Sequence, residues 1–420
     1  MEAVDRREAP LTTNTNGLYR ILAIDGGPAA PVQIRMLRRL EQAYPGFLAS
    51  THQFAGTSDG ALIALFLASR LPRDPETAKR ISLDVLDDAI AFSDATIRAL
   101  QPTTYSILRF LSGMGAMVNP SPLRRVLEHA FGDMKLADLE RDCAITSFNV
   151  DDMQGESILK LGKFCPVDRN IVDALLATTA LPMYMPLHNI DGRRYVDGVI
   201  TANDSSFNAV VGTAMLCGFR AEELAQNPSS ASDLSPALEA MVARAKSSSL
   251  EEACTGFRIL SLGLKEKNRS VYVSETLMRR FFGDQFDTYE KDSDWGWFHW
   301  LLNRPRLLPA MIYAANNDNM AFLCNRLFSR RYLRYEPGDD VISDAWRVLS
   351  RNAQTLFDNA EKLVDSLWKE GIERKSPDGS LPATSILMDF VKSEWLDAPP
   401  PVDEPPATAP RLTRRRNGGA

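Results

Sequence analysis

The chain has 420 residues, 45% of them hydrophobic, 24% charged and 8% aromatic. This is enough apolar mass for a sizeable core, and a composition that excludes bulk disorder. With 48 Lys and Arg against 54 Asp and Glu, the formal net charge is −6, which argues against nucleic acid as a partner.

Residues 1–18 are polar and lack the apolar core of a secretory signal, and the longest apolar run, Ala61 to Ala68, is far too short to span a bilayer. The expectation is a soluble protein, cytoplasmic or peripheral to a membrane. Cys143, Cys165, Cys217, Cys254 and Cys324 stand far apart with no CxxC pair, a pattern expected of a reducing compartment and without a zinc or redox motif.

Tyr19 to Ile24 reads as a short buried strand running into a tight Asp25-Gly26-Gly27-Pro28 loop. Val32 to Ala43 has helical periodicity, Phe54 to Thr57 is a second strand, and Ala61 to Ser69 an apolar helix. Strand, loop, helix, strand, turn, helix argues for a parallel sheet covered by helices, an α/β fold. From Asp74 to Phe131 the pattern is helical with a glycine- and methionine-containing break at residues 112–117. Cys143 to Val150 reads as a strand, with Ser157 to Leu161 its hairpin partner. Val172 to Ala180 reads as a helix, and Arg194 to Val196 and Phe257 to Gly263 as strands. Asn227 to Ser235 is a Ser/Pro-rich loop, Ala345 to Trp368 an amphipathic helix, and the Pro- and Arg-rich stretch after Asp397 a disordered tail.

The sharpest chemical signal is Gly56-Thr57-Ser58-Asp59-Gly60, a G-x-S-x-G elbow between a strand and an apolar helix. Such a turn exposes the serine hydroxyl at a helix N-terminus, where orphan amides favour negative charge. Ser58 needs a base. Of the four histidines, His52 precedes the elbow strand and belongs at its far end, while His129, His188 and His299 adjoin no catalytic loop. Asp197 is the better candidate. It ends a short strand before Gly198, at the sheet edge where ligand sites form, and desolvation there would raise its proton affinity. The amides of Gly26 and Gly27 can line an oxyanion hole.

In that order these motifs resemble the patatin-like phospholipase family, whose pattern is a D-G-G-G-x-[RK]-G loop, a G-x-S-x-G elbow and a D-G-[GA] motif. Residues 177–186, Ile259 to Gly263 and Trp295 to Pro337 are similar to further family segments, so the likeness spans residues 19–338. It implies a three-layer α/β/α patatin-like fold with a mostly parallel central sheet. The lead-in 1–18, a helical extension 339–396 and the tail 397–420 flank the catalytic domain. It also implies a Ser58–Asp197 dyad with no cofactor and no metal. Gly26, Gly27 and the Asp59 amide would hold the oxyanion, and the substrates would be glycerolipid or phospholipid esters cleaved through an acyl-serine.

The loop departs from the pattern at Pro28, which has no N–H to donate, and the aspartate motif reads Asp197-Gly198-Val199. A weak or inactive binding protein on the same scaffold is therefore the alternative. Transient membrane contact is expected; the apolar 110–118 loop reads equally as a lipid-entry lid or a core-packed turn, while the aromatic Trp295 to Trp300 run reads as packed structure before an interfacial anchor and the arginine tail as a solubilising segment before an anionic-lipid contact.

Overall fold

Residues 19–24 and 257–262 are buried throughout and mostly apolar, broken by Arg20, Arg258 and Ser261, because both faces of their strands are covered. In the computed structural model they form β1 (Tyr19–Ile24) and β7 (Phe257–Leu262), paired in parallel inside an eight-stranded sheet. The other strands are β2 (Gln53–Thr57), β3 (Asp142–Asn149), β4 (Gln154–Lys160), β5 (His188–Ile190), β6 (Arg193–Asp197) and β8 (Tyr332–Tyr335). The order is β5-β6-β3-β2-β1-β7-β8, with β4 on β3. β1, β2, β3, β7 and β8 run parallel, whereas β4 and β6 are antiparallel to β3.

The structure describes residues 17–27, 29–112, 115–226, 234–247, 254–263, 307–336, 353–373 and 383–397. Pro28, the centre of the 110–118 loop, the bulk of the Ser/Pro-rich loop, the Trp295 to Trp300 run and the arginine tail lie outside the described residues.

Alternation along the strands sends side chains into two layers. Leu22, Ile24, Phe54, Cys143, Ile145, Leu260 and Leu262 join one core. It is closed by α1 (Ala30–Ala43), α2 (Asp59–Arg70), α3 (Pro75–Ala99), α5 (Ser121–Phe131) and α6 (Ile171–Thr178). Tyr19, Ile21, Ala23, Ala55, Phe257 and Ile259 face the other, closed by α7 (Ser206–Gln226), α8 (Pro236–Ser247) and the end of helix Leu307–Phe328. This is a three-layer α/β/α arrangement with a mostly parallel sheet. The short helix α4 (Thr104–Leu111) lies outside both cores.

The C-terminal helices are part of the first core. Helix Ala353–Glu373 packs on α1, with Arg35 Nε 3.1 Å from Glu361 Oε2. Trp395 is fully buried against Phe47, ring centroids 5.3 Å apart. The Arg20 guanidinium donates to its carbonyl at 2.6 Å. Among the described residues no helix is long and apolar enough to cross a membrane.

Candidate active site

β3 organises the site. β2 runs parallel to it and ends with Thr57 opposite Thr146, while β6 runs antiparallel and ends with Asp197 opposite Ser147. β4 fills the other edge of β3 from Cys143 to Asn149, so β2 and β6 share one edge and meet head to head. Their last residues lie one register step apart. Ser58 and Asp197 are thereby brought together although 139 positions separate them.

Ser58 sits at φ 52° and ψ −125°, a conformation that costs a non-glycine residue about 1–3 kcal/mol and persists only when its surroundings enforce it. Its N–H donates to Thr178 Oγ1 at 3.0 Å, and that hydroxyl donates to the Thr146 carbonyl at 2.5 Å. Its carbonyl accepts from Ala61 and Leu62 in the first turn of α2. Gly56 lies in β2 between Ile24 and Ile145, and the Thr57 hydroxyl bonds both Thr146 Oγ1 and the Ala202 carbonyl. Gly60 is sterically compulsory: a Cβ there would run into the carbonyls of Ile24 and Asp25. Its bareness lets α2 close on the end of β1 and sets the elbow beside the Asp25-Gly26-Gly27 loop.

The Ser58 hydroxyl donates to Asp197 Oδ2 at 2.7 Å, and Asp197 Oδ1 accepts from the Val199 N–H at 2.9 Å. Gly198 opens the tight turn Gly198–Ile200 that supplies this amide. The Asp197 N–H donates to the Ala180 carbonyl at 3.0 Å. The carboxylate is 1% exposed. Burial pushes its pKa up to about 7, against the opposing hydrogen bonds from Ser58 and Val199; the nearby Asp59 carboxyl raises it further. Burial likewise lifts Asp59 to about 7.

A Cβ on Gly26 would stand 2.8 Å from Ser58 Cβ and 2.9 Å from Asn203 Oδ1, so the glycine loop abuts Ser58. Gly27 takes φ 100°, open to glycine and strained for other residues. The Gly26 N–H donates to Asn203 Oδ1 at 3.1 Å. Among the described residues, no protein group accepts from the Gly27 or Asp59 amides, and the Asp59 amide is one of the orphan donors of the α2 N-terminus.

Several residues of this neighbourhood escaped the sequence reading. Asn203 is fully buried, with Nδ2 unpartnered among the described residues. Next to it Asp204 and, across the loop, Asp25 share one buried cation: Arg334 lies 2.6 Å from Asp25 Oδ2 and 3.1 Å from Asp204 Oδ2. Burial nevertheless lifts Asp25 to about 6, against the pull of Arg334. Ser261 Oγ and Tyr332 OH complete the cage around Asp204 at 3.0 and 3.1 Å. Thr178 and Arg334 fell inside quoted segments, yet nothing in the local pattern marked them as partners of the elbow and the loop.

The histidines lie elsewhere. His52 is at the start of the elbow strand, its Nδ1 accepting from the Arg20 N–H at 3.1 Å. His188 pairs with Asp173 at 3.0 Å, and His129 is exposed on α5. His299 is outside the described residues. Among the described residues no group of three or more His, Cys, Asp or Glu could hold a metal ion.

The family model described as Patatin-like phospholipase matches residues 22–206, which span the glycine loop, the elbow and the Asp197 turn. Among curated proteins no match is found. Solved structures that match include the crystal structure of VipD from Legionella pneumophila, with TM-score 0.30 and 11% identity, covering 90% of this chain and 79% of that one.

Proposed function

A patatin-like phospholipase domain occupies residues 22–206, and on that footing we propose that the protein is a serine lipid acylhydrolase cleaving fatty-acyl esters with a Ser58–Asp197 dyad. The observation that carries the reading is the 2.7 Å hydrogen bond from the Ser58 hydroxyl to a buried carboxylate with raised proton affinity. Asp197 takes the hydroxyl proton as Ser58 Oγ attacks the ester carbonyl. The carbonyl oxygen becomes an oxyanion beside the Gly27 and Asp59 amides; the Gly26 amide joins them by exchanging its Asn203 partner. Protonated Asp197 then returns the proton to the departing alcohol, leaving an acyl-serine. In the second half Asp197 deprotonates water, which releases the fatty acid.

Because Asp197 acts unprotonated, activity should rise with pH through about 7 and level off above it. The substrate class is tested by lipid mass spectrometry after incubating wild type or Ser58→Ala with a mixed membrane extract. Glycerolipids should disappear, with free fatty acid appearing, only with wild type; identical lipid profiles refute the reading. A catalytically weak protein on this scaffold is the second reading. Pro28 in the loop and the engagement of the Gly26 amide by Asn203 favour it.

A further inference from the structure

Residues 95–127 hold Arg98, Arg109, Arg124 and Arg125 and not one Asp or Glu, in a chain where acids outnumber bases 54 to 48. They include the end of α3, α4 and the first part of α5. α4 is properly started, Thr103 and Ser106 exchanging capping hydrogen bonds, yet it turns Tyr105, Ile107 and Leu108 outward. Tyr105 is 72% and Leu108 61% exposed, whereas Ser106 is buried. A helix usually hides that stripe, and exposed apolar surface of this kind marks an interaction site.

A groove on the same stretch is lined by half-buried Ala95, Ala99 and Val126 and by exposed Arg98, Arg125 and His129. Arg98 is steadied by Gln354 at 3.0 Å and by the Phe357 ring. Neighbouring Arg124 takes up the nearby acids, Glu128 at 3.8 Å and Asp173 at 3.5 Å. Among the described residues no carboxylate pairs with Arg98 or Arg125.

This stretch is joined to the candidate site. The Met117 and Val118 amides donate to the carbonyls of Met183 and Tyr184 at 3.1 and 2.8 Å, and Tyr184 OH donates to the Leu100 carbonyl at 2.9 Å. Met183 and Leu187 are themselves 41% and 49% exposed. A few residues upstream, Thr178 and Ala180 hold the backbones of Ser58 and Asp197.

We infer that α4, together with the arginine groove between the end of α3 and α5, is a docking surface for an anionic lipid bilayer. Tyr105 and Leu108 enter the interface, and Arg98 and Arg125 meet headgroup phosphates. The inference rests on the acylhydrolase reading for its choice of a lipid as occupant. Apolar side chains inserted at a headgroup boundary and cations held close to an anionic surface act together in such docking.

The test uses the full chain carrying Ser58→Ala, so that vesicles stay intact, and measures co-sedimentation with phosphatidylcholine vesicles, with or without phosphatidylglycerol. The protein should partition roughly tenfold more strongly into the anionic vesicles, and added salt should weaken this preference. Tyr105→Ser with Leu108→Ser should lower binding to both vesicle types, on the order of tenfold. Arg98→Gln with Arg125→Gln should abolish only the anionic preference. Tyr105, Leu108 and Arg125 are exposed, so their substitutions should leave the thermal midpoint unchanged, and Arg98→Gln, which gives up Gln354 and the Phe357 ring, should lower it only slightly.

Equal partition into both vesicle types, no partition at all, or variants that bind like their parent would overturn the inference. So would a dimer that Tyr105→Ser with Leu108→Ser dissociates while vesicle binding persists, since the face would then belong to a second copy. Failure of the acylhydrolase reading shows separately, as Ser58→Ala protein that hydrolyses lipid at the wild-type rate.

Discussion

Asp142 opens β3, and Asp197 faces Ser147 near its far end; both carboxylates are nearly inaccessible to water. Asp142 accepts from Tyr19 OH and from the Gly162 N–H, each at 2.8 Å, has Arg73 at 3.6 Å, and feels Lys160. Asp197 has the Ser58 hydroxyl, one amide and no cationic partner among the described residues, and Asp59 beside it adds like charge. The two ends of the strand put two buried acids in different surroundings. Burial raises both carboxyls, but at Asp142 the Gly162 amide, Lys160, Tyr19 and Arg73 pull against it, whereas Asp197 has only a hydroxyl and one amide to oppose burial and is lifted to about 7. The histidine at the Asp142 end fits the same contrast. Burial, with Arg20 and Arg141 close by, lowers His52 to about 3, so it stays neutral and serves packing and a backbone hydrogen bond.

The substitution that bears hardest on this contrast is Asp197→Asn, expected to lower kcat by about 10²- to 10⁴-fold, the usual span of a lost general base. Its effect on stability should have the opposite sign. The folded protein holds this proton up to about pH 7, while the unfolded chain releases it in the ordinary carboxylate range. The group's contribution to stability therefore falls as pH rises through that window and is lost above it. Asp197→Asn should melt higher than wild type above about pH 7, with the gap closing in acid; a lower melting point there would contradict the reading of burial.

Arg334→Met leaves Asp25 and Asp204 without their cation and should cost about 3–5 kcal/mol of unfolding free energy, less in mild acid as Asp25 takes up a proton. Denaturant titration at two pH values checks this. Asn203→Ala strands the buried Gly26 amide and should lower stability by roughly 1–3 kcal/mol in denaturant titration, and because it frees that amide for the oxyanion it should not lower kcat. A fall in kcat in a folded variant would show instead that Asn203 positions the glycine loop. Smallest of all, His52→Gln should leave kcat and its pH profile where they are and lower stability by roughly 1 kcal/mol through lost stacking on Tyr19. A collapse of activity in a folded variant would move the base to the wrong end of the strand.

Much of this was legible before any coordinates. The apolar runs at 19–24, 54–57, 143–150 and 257–263 became strands, and the G-x-S-x-G pentapeptide lies at a strand-to-helix turn. These are local signals carried by consecutive residues. What escaped is non-local. α7 has apolar residues on much of its surface and follows a polar turn, so periodicity gave it no outline. Asn203, Asp204 and Arg334 matter because of what they meet, at separations of 177 residues for Asn203 with Gly26 and 309 for Arg334 with Asp25. The outward face of α4 was equally hidden, because Tyr105, Ile107, Leu108 and Phe110 read in sequence as an ordinary apolar segment.

On the proposed function, a buried carboxylate makes Ser58 nucleophilic. A fluorophosphonate probe followed by peptide mapping tests it most directly. Wild type should be modified on Ser58 and nowhere else, and labelling should slow by at least about 10²-fold in Asp197→Asn. Wild-type protein left unmodified, or labelled equally fast without the Asp197 carboxylate, would contradict it.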